Sequence, residues 1–317
     1  MNRLALQISP EAKQAYFANY LQVAERELKQ LLGEGLSYKL WQCASLEFFI
    51  ISAEEGLDLQ RLKRLSFVQG LYELVGEALI PLAQDDGFLL HDDFVFGSKY
   101  KGKTNERLTQ LLINVALAEL DYQSGQKLKL LDPMCGRGTT LLWAMRYGLN
   151  AKGIEQDVKA LEDVRRNVKK WSKLHRQKHK LSEGFVNQKN KKNTGKFLEF
   201  SAHDSSARLI IGDSADALQL LSQEKFDLLV SDIPYGVQHL SSDGSRNPID
   251  VLEKCADVWR QCMKKNAVLV LSFNALNPKR SLLKTVFEHA GFELKEFDVA
   301  HRMSESILRD VCMFRLK

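Results

Sequence analysis

The sequence predicts an α/β fold, with a mainly parallel sheet, helices on both of its faces, and a smaller α+β domain in front. From residue 128 onward, short apolar runs typical of strands alternate with helical segments. One strand-to-helix turn, at 132–138, reads Asp-Pro-Met-Cys-Gly-Arg-Gly and is followed by Thr139 and Thr140 at the start of an apolar helix. Glycines in such a turn let a ligand approach the backbone closely. Open α/β sheets bind nucleotide-like ligands at this end of their strands, so we expect such a ligand here.

Composition and charge narrow the class of protein. The 317 residues are 44% hydrophobic and 27% charged, which is typical of a globular protein with one large and one small domain. A net charge of +5 permits a polyanionic partner without demanding one. The five cysteines form no C-x-x-C pair, which favours free thiols in a reducing compartment. No apolar run approaches the ~20 residues of a membrane span, and we expect a cytoplasmic protein.

Residues 1–95 are predicted to form the small α+β domain. Tyr16 to Leu32 has helical spacing and is followed by two glycines, whereas Tyr38 to Ser52 is rich in aromatic and β-branched residues and predicts one or two strands. Leu57 to Leu65 predicts another helix, and Phe67 to Leu82 predicts mixed structure. The domain therefore alternates helices and strands.

The second domain, 96–317, begins with a connecting segment. Phe94 to Lys103 reads as a loop, and Thr104 is placed to cap a helix from Asn105 to Leu120. The core elements follow in alternation. The predicted strands are Leu128–Leu131, Ala151–Glu155, Leu209–Ile211, Phe226–Val230, Ala267–Phe273, Phe292–Ala300 and Val311–Leu316, and the predicted helices include Leu141–Tyr147 and Val158–Leu174.

A second polar turn, Asp232-Ile233-Pro234-Tyr235-Gly236, follows the fourth of these strands. With the glycine turn it resembles the class I S-adenosylmethionine methyltransferases, which have a Rossmann-like sheet. In these the D-x-x-x-G-x-G turn holds the methyl donor and a [DNS]-x-P-[YF] turn holds an amino group. The pair is most similar to the RNA guanine-N2 methyltransferases found with THUMP domains. Residues 1–95 resemble their ferredoxin-like N-terminal domain, and are too short to hold a THUMP domain as well.

The resemblance implies a set of roles. Glu155 would accept from the ribose hydroxyls and Asp213 from the adenine amine, although each acid could instead simply start a helix. The predicted catalytic residues are Asp232, Ile233, Pro234 and Tyr235. The predicted S-adenosylmethionine-binding residues are Thr104, Asn105, Asp132, Pro133, Cys135, Gly136, Gly138, Thr139, Thr140, Glu155, Gln156, Asp213, Ser214 and Asp232.

A basic insertion at about 175–206 interrupts the alternation. Between 169 and 196 there are ten lysines or arginines against one acid, Glu183. Its segment 187–195 has too little apolar content to fold alone, and we expect it to be mobile. The insertion either binds phosphates without sequence preference or is an idle solvated loop. His175 and His179 lie four residues apart, but no third ligand is evident, so no metal site is predicted.

These features predict an enzyme that methylates an exocyclic amine in RNA, with guanosine N2 in tRNA as the favoured target. The alternatives are an rRNA guanine-N2 methyltransferase, a DNA amino-methyltransferase and a protein glutamine methyltransferase. A further alternative of another class is a non-catalytic RNA-binding protein on the same scaffold. The expected cofactor is S-adenosylmethionine, and the expected partner is RNA.

Overall fold

The computed structural model describes residues 3–52, 57–83, 85–100, 103–120, 122, 125–186, 194–233, 248–304 and 307–317. Within them the chain forms two sheets, a five-stranded one near the N-terminus and a ten-stranded one that follows. None of the helices in these ranges is long and apolar enough to cross a membrane.

The first sheet is antiparallel, with strand order β2-β3-β1-β4-β5. Without β5, the element order β-α-β-β-α-β and this strand order are those of a ferredoxin-like domain, as the resemblance implied. The elements are β1 (Arg3–Ile8), α1 (Pro10–Tyr16), α2 (Tyr20–Leu32), β2 (Tyr38–Cys43), β3 (Leu46–Ser52), α3 (Leu59–Lys63), β4 (Val68–Val75) and β5 (Ala78–Pro81).

The N-terminal predictions need three corrections. The central strand β1 was not predicted, although Leu4, Leu6 and Ile8 alternate as a half-buried strand requires. The helix predicted from Tyr16 begins at Tyr20 as α2, and the helix α1 before it was not predicted; a short 3-10 turn that starts at Phe17, with a φ of +48°, separates the two. The mixed structure predicted for 67–82 is a pair of strands.

The connecting segment also differs from the prediction. Residues 93–96 form a short helix, α4 (Asp93–Phe96), so the predicted loop begins later. Helix α5 (Glu106–Glu119) is capped by Asn105, not Thr104. Asn105 has extended backbone angles, and its side-chain oxygen accepts from the Leu108 amide at 3.0 Å. Either residue type can cap a helix, so the sequence alone left the position uncertain by one residue.

The second sheet has the strand order β13-β15-β12-β11-β6-β7-β10-β9-β8, with β14 paired to β15. Strands β12, β11, β6, β7 and β10 are parallel, and β15 is antiparallel to β12. The elements are β6 (Lys129–Asp132), α6 (Thr139–Arg146), β7 (Asn150–Glu155), α7 (Lys159–Leu174), β8 (Lys180–Phe185), β9 (Lys196–Ala202), β10 (Ser205–Ile211), α8 (Ala217–Leu220), β11 (Phe226–Asp232), α9 (Pro248–Gln261), β12 (Met263–Asn274), α10 (Arg280–His289), β13 (Phe292–Lys295), β14 (His301–Ser304) and β15 (Ile307–Leu316).

The five central strands confirm the predicted parallel core, and β15 confirms the antiparallel last strand; with the antiparallel strands at both edges, the sheet as a whole is mixed rather than mainly parallel. Two details were wrong or missed. The strand predicted for 292–300 ends at Lys295. The basic insertion contains an antiparallel hairpin, β8 and β9, which extends the sheet beyond β10. Most of the segment predicted to be mobile, 187–193, lies outside the described residues.

One apolar cluster joins the two sheets. It contains the first sheet's inner residues, such as Leu6 and Phe49, together with Val230, Val270 and Val311 from one face of the second sheet. The opposite face of the second sheet packs on α9 and α10 through residues that include Trp259 and Phe287. Helix α5 packs on β11 and β12 at this face, and the N-terminal helices α1 and α2 pack on α5, with α1 also contacting β14. The domain boundary near residue 95 stays a prediction.

Candidate active site

The glycine turn follows β6 and is held by the buried carboxylate of Asp132. This side chain is 2% exposed, and it accepts from the Met134 amide at 3.1 Å and from the Ser231 hydroxyl at 2.7 Å. Burial raises the pKa of Asp132 to about 6, against hydrogen bonds from Ser231 and Thr140 that act in the opposite direction. Because Ser231 precedes Asp232, the bond to Asp132 joins the two predicted turns directly.

Glycine is required at two places, one in the turn and one on the strand beside it, for different reasons. Gly136 has a φ of +52°, and a Cβ built there would meet no heavy atom within 4 Å. Gly153, on the neighbouring strand β7, is needed because a Cβ there would lie 2.6 Å from the Cys135 sulfur. The turn thus packs closely on β7 on one side and leaves open space above Gly136 on the other.

Acids end the next two strands of the sheet. The Glu155 carboxylate, 9% exposed, accepts from the Gly136 amide at 2.9 Å and from the Asp157 amide at 2.8 Å. At the end of β10, Asp213 accepts from the Ala215 amide at 2.9 Å and so caps a short 3-10 helix. Three acids, Asp132, Glu155 and Asp213, therefore stand in a row at the carboxyl ends of β6, β7 and β10.

This row of acids supplies hydrogen-bond acceptors of the kind that the predicted methyl donor needs. A carboxylate oxygen has two lone pairs, so Glu155 can accept from a ribose hydroxyl while it keeps its bonds to the backbone. The open space above Gly136 lies beside that carboxylate. The N-terminus of α6, which begins after Gly138 with no side-chain cap, adds amide donors at the same edge.

The other residues predicted to bind the donor lie at several places in the fold. Pro133, Cys135, Thr139 and Thr140 lie in the turn or the first turn of α6, and burial raises the pKa of the Cys135 thiol so that it stays protonated. Gln156 is exposed beside Glu155. The Ser214 hydroxyl is buried and accepts from the Trp259 indole at 3.0 Å. Their contacts with a donor stay predictions.

Thr104 and Asn105 lie at the start of α5. The Trp143 indole of α6 donates to the Glu106 carbonyl at 2.9 Å, which fixes the start of α5 against α6. The two residues are half-buried. This position agrees with the predicted flank of the donor site, and contact itself stays a prediction.

The second turn begins at the end of β11, on the other side of β6. The Asp232 carboxylate faces an arginine that sequence reasoning missed: Arg309 Nη1 lies 3.0 Å from both carboxylate oxygens. The Ile233 amide donates to the Ser272 carbonyl at 2.8 Å, and its side chain is buried. Pro234 and Tyr235, also predicted as catalytic, lie outside the described residues.

His175 has partners other than His179. Its ring nitrogen lies 2.8 Å from an Asp93 carboxylate oxygen, and its ring stacks on His91 at 3.6 Å. Potential metal-binding atoms of His91, Asp93 and His175 lie within 4.8 Å of one another. Asp93 and His91 are thus neighbours of His175 that the spacing of His175 and His179 did not indicate. The sequence could not show it, because Asp93 and His175 are brought together only by the packing of α4 on α7.

The family model of the RMKL-like methyltransferase domain matches residues 99–303, which is more than half of the chain and includes both turns. The match confirms the predicted class of methyltransferase, and S-adenosylmethionine is the cofactor of this domain. No curated protein matches the sequence.

Several solved methyltransferases are similar to the chain in structure. TrmN from Thermus thermophilus is 13% identical, with a TM-score of 0.45, over 89% of this chain and 60% of that one. A methyltransferase from Pyrococcus furiosus is 16% identical, with a TM-score of 0.41, over 71% and 91% of the two chains. Magnesium protoporphyrin IX methyltransferase from Synechocystis, solved with bound S-adenosylmethionine, is 11% identical, with a TM-score of 0.44, over 71% and 89%. These TM-scores are too low to bear on the substrate.

Proposed function

The chain belongs to the RMKL-like methyltransferase domain family, and we propose that it methylates the N2 amine of guanine in an RNA, with tRNA as the favoured substrate. The observation that carries the proposal is the direct bond between the two turns. Ser231, at the end of β11, donates to Asp132 in the donor turn at 2.7 Å, and Asp232 follows it. An amine held by Asp232 would therefore lie beside the donor.

The proposed chemistry depends on orientation. An exocyclic amine on guanine is a poor nucleophile because its lone pair is delocalised into the ring. Bound S-adenosylmethionine supplies an electrophilic methyl group. The Asp232 carboxylate and the Ile233 carbonyl would each accept one N–H of the amine, which leaves the lone pair free to face the methyl carbon. Tyr235 would stack on a base that has left its helix, and Pro234 would stiffen the turn.

Two features favour a nucleic acid as the carrier of the amine. The hairpin β8–β9 begins its strands at Lys180 and Lys196, and Phe185 between them is 47% exposed. Lysines meet phosphates, and an exposed aromatic ring can stack on a base. The N-terminal unit lies on the face of the sheet that also carries Asp232, since α1 packs against β14. A large substrate could thus contact both the N-terminal unit and the turn at Asp232.

The test is methyl transfer from labelled S-adenosylmethionine to separate pools of tRNA, rRNA, DNA and protein. We expect label in tRNA and its loss in the Asp232→Ala variant. Label in rRNA alone would support the rRNA alternative, and label in DNA or protein alone would reject an RNA substrate. Binding of RNA without transfer to any pool would favour the non-catalytic alternative.

A further inference from the structure

Arg309, on the last strand, forms a buried ion pair with Asp232. The two side chains are 6% and 12% exposed, and Arg309 Nη1 is 3.0 Å from each carboxylate oxygen. Burying two charges costs hydration free energy that their attraction does not reliably repay, so a buried pair is weak evidence of a role in stability. Its position at the end of β11, next to the donor turn, suggests a role in the site.

The strand register explains how residues so far apart in sequence meet. Asp232 on β11 is opposite Ser272 on β12, and Ser272 is opposite Val311 on β15. Residues opposite each other share a face, and so do residues two apart on one strand. Arg309 is two residues from Val311, so it lies on the same face as Asp232. The long arginine side chain spans the remaining diagonal.

The surroundings of Arg309 keep this contact away from water. His301 on β14 is directly opposite Arg309, is 1% exposed, and packs against the Tyr16 ring at 5.4 Å between centroids. Burial lowers the pKa of His301, so at neutral pH it adds no positive charge. The N-terminal unit, through Tyr16, therefore closes the back of the ion pair, and Arg309 supplies the cation that faces Asp232.

We propose that Arg309 is a positioning residue, which fixes the Asp232 carboxylate so that it accepts from the substrate amine; this rests on the proposed function. One nitrogen that bridges both oxygens uses one lone pair of each. The other lone pair of each oxygen stays available to an N–H. The guanidinium also balances the charge of a carboxylate that is almost out of water, while its planar shape sets the orientation of the carboxylate plane.

The test compares Arg309→Met and Arg309→Lys with the wild type in methyl transfer to RNA, with donor affinity measured by calorimetry. We expect Arg309→Met to lower kcat by about ten- to hundredfold, as loss of alignment does, with donor affinity unchanged. Arg309→Lys keeps the charge but replaces the planar guanidinium with a flexible ammonium group, and we expect an intermediate kcat. The matched control is Arg315→Met, on the same strand, where the arginine pairs with Glu119 at 3.4 Å.

A double-mutant cycle separates positioning from a merely structural role. In the Asp232→Ala background, Arg309→Met should lower kcat no further, because the group through which Arg309 acts is gone. Wild-type kcat in both Arg309 variants, or losses that add in the double variant, would overturn the inference. If Arg309→Met does not fold, the kcat of Arg309→Lys tests the inference instead. A lowered kcat supports it, and a wild-type kcat overturns it. The proposed function fails separately, when the wild type itself transfers no methyl group to RNA.

Discussion

The two turns that form the site are fixed by different kinds of contact. In the donor turn the acids bond to nearby backbone: Asp132 accepts from Met134, and Glu155 accepts from Gly136 and Asp157. In the acceptor turn, Asp232 is held by the side chain of Arg309, 77 residues further along the chain. Apart from the bond from Ser231 to Asp132, the donor turn is therefore held by backbone within 19 residues along the chain, whereas the acceptor turn depends on the last strand being in place.

This difference predicts different sensitivities to mutation. Changes in the donor turn should alter the affinity for S-adenosylmethionine, because we expect the backbone of that turn to contact the cofactor. Changes in the acceptor turn should alter turnover and leave the donor bound.

Asp232→Ala should lower kcat by on the order of a hundredfold or more, because the amine loses an acceptor that acts in the transition state. Donor affinity, measured by calorimetry, should stay at the wild-type value. The matched control is Asp227→Ala, at the other end of β11, where the acid pairs with Lys264 at 2.8 Å. Equal losses in the two variants would show that the effect comes from strand stability.

Gly136→Val should weaken donor binding by on the order of a hundredfold, because its side chain would fill the open space above the turn and displace the ligand. A β-branched residue at a φ of +52° also strains the backbone. Gly76→Val controls for that strain: Gly76 has a φ of +62°, open surroundings and a place in the distant β4–β5 turn. Normal donor affinity in the Gly136→Val variant would show that this turn does not bind the donor.

Glu155→Ala should weaken donor binding by roughly 1.5–3 kcal/mol, the value of its hydrogen bonds to the ribose together. Its kcat at saturating donor should change much less, in contrast to Asp232→Ala. Calorimetry and saturation kinetics measure the two quantities. A loss confined to kcat would mean that Glu155 acts on the acceptor, which would contradict the division between the turns.

The smallest effect concerns pH. Since burial raises the pKa of Asp132 to about 6, the cofactor-free fold favours its protonated form. That contribution to stability is fully present below pH ~4 and is lost as pH rises through 6. The affinity for the cationic donor should change in the opposite direction, because protonation removes the negative charge of Asp132. This affinity should fall by about tenfold for each pH unit below 6.

Thermal unfolding and calorimetry from about pH 4 to pH 8 measure both trends. Asp132→Asn is the control, since it removes the titrating group and should flatten both. Parallel pH trends in stability and donor affinity would mean that another group controls them. A proton released on donor binding at pH 6 would support the assignment to Asp132.

The strand, turn and helix around 132–139 were predictable because most of their contacts are local. The spacing of Asp132, Gly136 and Gly138 and the acid at the end of the next strand indicated this arrangement, and its contacts with a donor stay a prediction. The same locality made the parallel strands predictable, since each is a short apolar run between turns. The strand β1 was missed even though its alternation was visible, because its short length carried little weight beside the longer helical pattern.

Contacts between distant segments were not predictable. Nothing near Arg309 in the sequence distinguishes it from other arginines; its role follows from the register of β11, β12 and β15. The pairing of His175 with Asp93, and the position of the N-terminal unit against β14, depend in the same way on tertiary packing. The hairpin β8–β9 was hidden because lysines dominate its flanks and its apolar residues lie mostly in β9.

The identity of the methylated nucleoside shows which atom the turn at Asp232 presents to the methyl donor. RNA methylated by the wild type would be digested to nucleosides and analysed by chromatography and mass spectrometry, with RNA treated by Asp232→Ala as the control. We predict N2-methylguanosine from the wild type and little from the variant, because the turn at Asp232 offers acceptors to an exocyclic amine. Methylation of a ring nitrogen, of carbon 5 or of the ribose would contradict the assignment of that turn.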